Sequence, residues 1–84
     1  YYDNIINSTL LINKIKEITT KKNDVMAFVT ASDEYGTVAL TLFPNTYKKY
    51  QKLEKNDIIK ITGKVSKRYD TYQIIVNEIK KCNN

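Results

Sequence analysis

Two short basic clusters and one aromatic-bearing apolar run carry whatever chemistry this chain can perform. Lys21 and Lys22 precede Asn23, and Lys67 and Arg68 precede Tyr69. Met26-Ala27-Phe28-Val29-Thr30 sets one ring among smaller side chains. Lysine and arginine neutralise phosphate oxygens, and an exposed ring stacks on the π-face of any base. Acid–base catalysis has far less to work with. Asp33, Glu34, Asp57 and Asp70 stand in segments that read as turns, where such side chains serve the backbone. No paired acids, phosphate-cradling glycine loop or nucleophile beside a base can be assembled, so no catalytic residue is expected. With no histidine and a single cysteine, Cys82, the chain offers neither a Cys/His metal site nor an intrachain disulfide. Cys82 reads as incidental, the compartment as reducing and cytoplasmic, and no cofactor is expected.

The elements that must position these residues follow from periodicity. Leu10 to Ile18 supports two readings. Ile12, Ile15 and Ile18 recur at a spacing that suits a helix face. Leu10 and Ile12 alternate, and a bulge near Asn13 would return Ile15 to the same side of a strand. The β-branched content and the adjoining Thr19-Thr20 favour a long, bulged first strand. Thr20 to Asp24 is a turn in which Asn23 tolerates the left-handed conformation. Val25 to Ser32 is a second strand, and Asp33-Glu34-Tyr35-Gly36 a second turn, with Gly36 free to take positive φ. From Thr37 to Phe43 the third strand points Val38, Leu40 and Leu42 inward and Ala39 and Thr41 outward.

Pro44 opens an amphipathic helix of about three turns, with Tyr47, Tyr50 and Leu53 on its buried face. Ile59, Ile61, Gly63 and Val65 share one face of the fourth strand, where a glycine suits a sharply coiled barrel. Ile74 and Val76 anchor the fifth, which Ile79 rejoins after Glu78. Lys67-Arg68-Tyr69-Asp70-Thr71 is the polar loop between them. The order β-β-β-α-β-β is that of the OB fold, a mostly β, five-stranded Greek-key barrel with one helix between strands three and four. All of residues 1–84 form a single domain, with its core from about 10 to 80.

Fourteen Lys and Arg against nine Asp and Glu give a net charge of +5, a sign that favours a polyanionic partner. No apolar run approaches the roughly 18 residues of a membrane span, and the start lacks the basic segment of a signal peptide. The missing initial methionine suggests a piece of a longer protein. An OB barrel presents strands two and three, flanked by the loops joining strands one to two and four to five. If Ala27, Val29 and Ala31 point inward, then Met26, Phe28, Thr30 and Ser32 point to that face, with Ala39 and Thr41 beside them. The opposite assignment, with Phe28 in the core and Ala27 and Val29 exposed, is open on size alone. The candidate nucleic-acid-binding residues are therefore Lys21, Lys22, Met26, Phe28, Thr30, Thr41, Lys67, Arg68 and Tyr69. Tyr72 is read either as a second stacking ring or as half-buried at the strand edge. Lys14, Lys16, Lys60 and Lys64 read as solvated surface.

The run Thr20-Lys21-Lys22-Asn23-Asp24-Val25-Met26-Ala27-Phe28 resembles the Thr-Lys-Lys-Gly-x-x-Met-Ala-Phe signature of the OB domain in bacterial DNA polymerase III alpha subunits. Asp33-Glu34-x-Gly36, Phe43-Pro44-x-x-Tyr47 and Ile61-Thr62-Gly63-Lys64-Val65 are similar to later parts of that domain. The likeness covers about Leu11 to Ile79, and departs at Asn23, where the family usually has glycine, and near Leu10, where it often has one. The resemblance implies a non-catalytic accessory domain of a replicative polymerase that holds single-stranded template near the active site, whose carboxylates lie in another domain. Its partners would be single-stranded DNA, neighbouring polymerase domains and clamp or loader subunits; the isolated domain would be a monomer. Two other functions fit the same fold. An anticodon-binding OB domain often carries a glutamine in strand three, where this chain has Ala39. A protein-interaction or spacer barrel within the replicase, contacting a clamp or loader subunit, needs no nucleic-acid face.

Overall fold

In the computed structural model, which describes residues 5–50, 53–68 and 71–82, five strands close into a barrel of order β1-β2-β3-β5-β4. β1 spans Ile5–Thr19, β2 Val25–Asp33, β3 Gly36–Leu42, β4 Ile58–Arg68 and β5 Thr71–Lys81, with the helix α1 at Pro44–Tyr47. β3 and β5 pair in parallel, and every other pair is antiparallel. Among the described residues no helix is long and apolar enough to cross a membrane.

β1 closes the barrel because it serves two neighbours. Ile5 to Leu11 pair with β4, and Leu11 to Thr19 pair with β2. The register shifts between Ile12 and Lys14, so Asn13 is the bulged residue. One extra residue bends the strand and resets its alternation. Leu10 and Ile12 are buried before the bulge, and Ile15, opposite Val29, packs on the core after it. Ile18, opposite Met26, takes the outer face, so the spacing of Ile12, Ile15 and Ile18 belongs to a bulged strand. The bulge itself is tied down, with the Ser32 hydroxyl donating to Asn13 Oδ1 at 3.0 Å. A second bulge, at Asn77, separates the pairs Thr62↔Glu78 and Gly63↔Val76 and returns Ile79 to the core.

The core joins Leu10, Ile12, Ala27, Val29, Ala31, Leu40, Leu42, Ile59, Ile61, Ile74, Val76 and Ile79, each of them buried. Gly63 stands where a side chain cannot. A Cβ there would lie 2.5 Å from Ile74 Cγ2 and 2.7 Å from the Ile75 carbonyl oxygen. The strand-four glycine is thus demanded by close approach of β5.

Two expectations need correction. α1 is a single turn of Pro44–Tyr47 rather than three turns. Lys49 and Tyr50 continue it only through amide bonds to Thr46 and Tyr47, three residues back. So short a helix is held by tertiary packing, not by propagation of its own hydrogen bonds. Its purpose is nevertheless the expected one: Tyr47 and Leu53 are buried and Tyr50 packs against the core. The segment expected as a loop between β4 and β5 also differs: pairing extends to Lys67↔Tyr72 and Arg68↔Thr71, so Lys67, Arg68 and Thr71 are strand residues, while Tyr69 and Asp70 lie outside the described residues.

Candidate nucleic-acid interface

The alternation of β2 decides which side chains reach solvent. Ala27, Val29 and Ala31 are almost fully buried, so Met26, Phe28, Thr30 and Ser32 lie on the outer face. Phe28 is 40% exposed, which rules out its placement in the core. Its cross-strand partners are Lys16 on β1 and Thr41 on β3. Thr41 in turn stands beside Ile75 of β5. A second transverse row runs Lys14, Thr30, Ala39 and Gln73, and a third pairs Ile18 with Met26. One sheet face therefore brings a ring, short hydroxyl side chains and two exposed lysines together.

Thr41 departs from expectation. It lies on the outer face but is only 4% exposed, because its hydroxyl donates to Gln73 Oε1 at 2.8 Å and that side chain covers it. Thr41 supports the surface instead of forming it. Lys14 and Lys16 depart in the other direction. Their outward direction is legible in the sequence, but only the β1–β2 register sets them against Thr30 and Phe28. No signal short of strand pairing could have found that.

The first basic loop is built on a firm turn. Thr20 N donates to Asp24 O at 2.7 Å, and Thr20 Oγ1 accepts from the amides of Lys22 and Asp24. Asn23 takes φ 66°, the left-handed conformation. Lys21 and Lys22 project from it, both exposed. At the second basic cluster, Lys67 is a strand residue whose Nζ lies 5.7 Å from the Tyr72 ring centroid, a cation–π distance. Tyr72, in β5 opposite Lys67, is 53% exposed, so about half of it is buried. Arg68 ends β4, and Tyr69 lies outside the described residues. The strand register places the two clusters at opposite ends of β2 and β3, separated by about seven residues or ~23 Å of strand.

Asp33, Asp57 and Glu17 bond to the chain itself, and Asp70 lies outside the described residues. Asp33 Oδ1 accepts from the amides of Tyr35 and Gly36, closing the β2–β3 turn. Asp57 accepts from the Glu54 amide at 2.8 Å and meets Lys81 Nζ at 3.1 Å. Glu17 accepts from the Tyr47 hydroxyl and so ties β1 to α1. The Tyr47 phenol is pushed up to about 12 by burial, then by that hydrogen bond, then by the Glu17 charge. Among the described residues no three metal-ligating side chains converge. A shallow recess of about 630 Å³ lies between β1, β4 and β5, away from Phe28, and includes Thr9, Lys60, Thr62 and Glu78.

Residues 11–81 match the model of a family described as an OB-fold nucleic acid binding domain. The chain belongs to that family. It is 41% identical over 76 residues to the DNA polymerase III subunit alpha of Staphylococcus aureus strain MSSA476, a match that covers 87% of this chain. The chain spans only 7% of that relative's length. Among solved structures, a chain of a replication protein A heterotrimer bound to single-stranded DNA superposes with a TM-score of 0.78 at 9% identity, covering 95% of this chain and 58% of that one. The mitochondrial single-stranded DNA-binding protein Rim1 of S. cerevisiae gives 0.74 at 12% identity, covering 98% and 97%. At such identities the structural likeness speaks for the fold.

Proposed function

We propose that this OB domain binds single-stranded DNA across the outer face of β2 and β3, as a non-catalytic accessory domain of a bacterial replicative polymerase. Its task is to hold the template strand near the active site that another domain of the parent subunit supplies. The observation that carries this reading is the exposed Phe28 ring set in register beside Lys16. A ring provides sequence-tolerant stacking, and an adjacent cation neutralises the phosphate of the stacked nucleotide. Lys21 and Lys22 at one end, with Lys67 and Arg68 at the other, extend the path for the backbone. The likeness to polymerase alpha subunits and to two single-strand-binding OB proteins supports DNA as the ligand and the polymerase, cytoplasmic like the replication machinery, as the parent.

Fluorescence anisotropy of labelled oligo-dT tests it, at low and at moderate salt, with duplex DNA and an anticodon stem-loop as competitors. The wild-type chain is expected to bind in a salt-sensitive manner and to prefer single strands to duplex. Phe28→Ala should weaken binding by about 5- to 150-fold. Preferential competition by the stem-loop would move the assignment to an anticodon-type domain. Absence of binding even at low salt would make this barrel a spacer or a docking site for clamp or loader subunits.

A further inference from the structure

Gln73 has no place in the interface as read from sequence, yet the fold brings it to the centre of the outer face. It stands opposite Ala39 in the parallel β3–β5 ladder, in the same row as Thr30 and one step from the Phe28 row. Its side chain is partly buried, and its Oε1 accepts from the Thr41 hydroxyl at 2.8 Å. Thr41, at 4% exposure, has little freedom to turn elsewhere. With the amide oxygen engaged, the Nε2 hydrogens are the group Gln73 turns toward a ligand. Ala39 is exposed and small, so a base stacked near Phe28 can reach the amide over it. An amide that presents its donors ahead of its engaged oxygen distinguishes base edges. Thymine offers two carbonyl oxygens, whereas adenine has no carbonyl and places an amino group beside N1.

We propose that Gln73, held by Thr41, is a base-reading residue that makes this face favour a carbonyl-bearing base, thymine above all, over adenine at one position of the bound strand. This rests on the single-strand reading of the same face. Stacking alone carries no such preference for the smaller ring, so the order thymine over adenine points to the amide rather than to Phe28. Thr41 is a positioning residue: its hydroxyl chooses which end of the amide faces the ligand.

The test is a set of short oligo-dT strands carrying a single dA at each position in turn, which avoids the self-stacking of oligo-dA. Wild-type binding should fall by about 2- to 10-fold when dA occupies one particular position, and little elsewhere. Gln73→Ala should erase that dip, and Gln73→Glu, an acceptor of the same shape, should invert it. Thr41→Val should flatten the dip, whereas Thr41→Ser, which keeps the hydroxyl, should restore it. Urea unfolding of each variant separates these effects from loss of fold. If wild type binds and Phe28→Ala weakens it, but the dA profile is flat or survives Gln73→Ala, base reading by Gln73 is wrong and the stacking face stands. If wild type binds none of the strands, both readings fall together.

Discussion

At the scale of single residues, the outer and inner faces of one strand divide binding from stability. Phe28 is 40% exposed while its neighbours Ala27 and Val29 are buried, so Phe28→Ala removes a stacking surface with little loss of core. Its thermal midpoint should stay near wild type while its affinity falls. Gly63 gives the opposite case. A methyl group there meets Ile74 Cγ2 at 2.5 Å and the Ile75 carbonyl at 2.7 Å, and a backbone atom cannot swing aside. Gly63→Ala should cost about 1–3 kcal/mol in urea unfolding, as overpacking does. Asn23 is a third position with one controlling variable, its φ of 66°. Asn23→Ala should cost about 1 kcal/mol because a Cβ without a local hydrogen bond resists the left-handed region. Asn23→Gly, the residue usual in the family it resembles, should stay within about 0.5 kcal/mol of wild type in the same assay.

Among the elements, α1 shows how a weak local signal is stabilised from outside. One turn cannot sustain itself, so Tyr47 anchors it from within the barrel end and through Glu17. The phenol pKa, raised from 10.0 to about 12, ties this contact to pH. A group whose pKa is raised by folding contributes in full below its unfolded value, and the contribution fades as pH climbs through the folded one. Wild-type stability should therefore decline between pH 10 and pH 12 more steeply than that of Tyr47→Phe, which has no proton to lose. Denaturation midpoints across that range, taken as the difference between the two proteins, isolate the effect from the lysines. The bulges at Asn13 and Asn77 belong to the same scale. Each resets alternation by one residue, and without the first, Lys14 and Lys16 would turn inward and Ile15 outward.

For the whole molecule, the net charge of +5 favours a polyanionic partner, and a salt series tests where the cations act. Each lysine that neutralises a phosphate of a single strand contributes about 0.7 to the slope of log affinity against log salt. Replacing Lys21 and Lys22 together by glutamine should reduce the slope by about 1.4 if both make that contact, measured by anisotropy with oligo-dT across a salt series. The chain spans only 7% of the length of a relative such as the S. aureus polymerase subunit.

The succession of elements along the chain, the Asn13 bulge, the left-handed Asn23, the positive φ of Gly36, the inward set of β3 and the reason for Gly63 are written in local sequence, whereas the positive φ of Asn56 is not foreseen there. Period-two alternation and turn chemistry act over a few residues, so they survive translation into a string of letters. Outward directions for Lys14 and Lys16 follow from the same alternation, whereas alternation alone leaves both phases of β2 open, and only the structure puts Phe28 outside and Ala27 and Val29 inside. What the string does not carry is register between strands far apart in the chain. Thr41 and Gln73 are separated by |i−j| = 32, and nothing in either local segment foretells their hydrogen bond. Nor does a proline and three aromatic or aliphatic residues at spacing three show that the helix stops after one turn, because the barrel end supplies its stability and limits its length. Direction is a property of the strand, but neighbourhood is a property of the closed barrel, and the β3–β5 and β1–β2 ladders alone turned a list of outward residues into a surface.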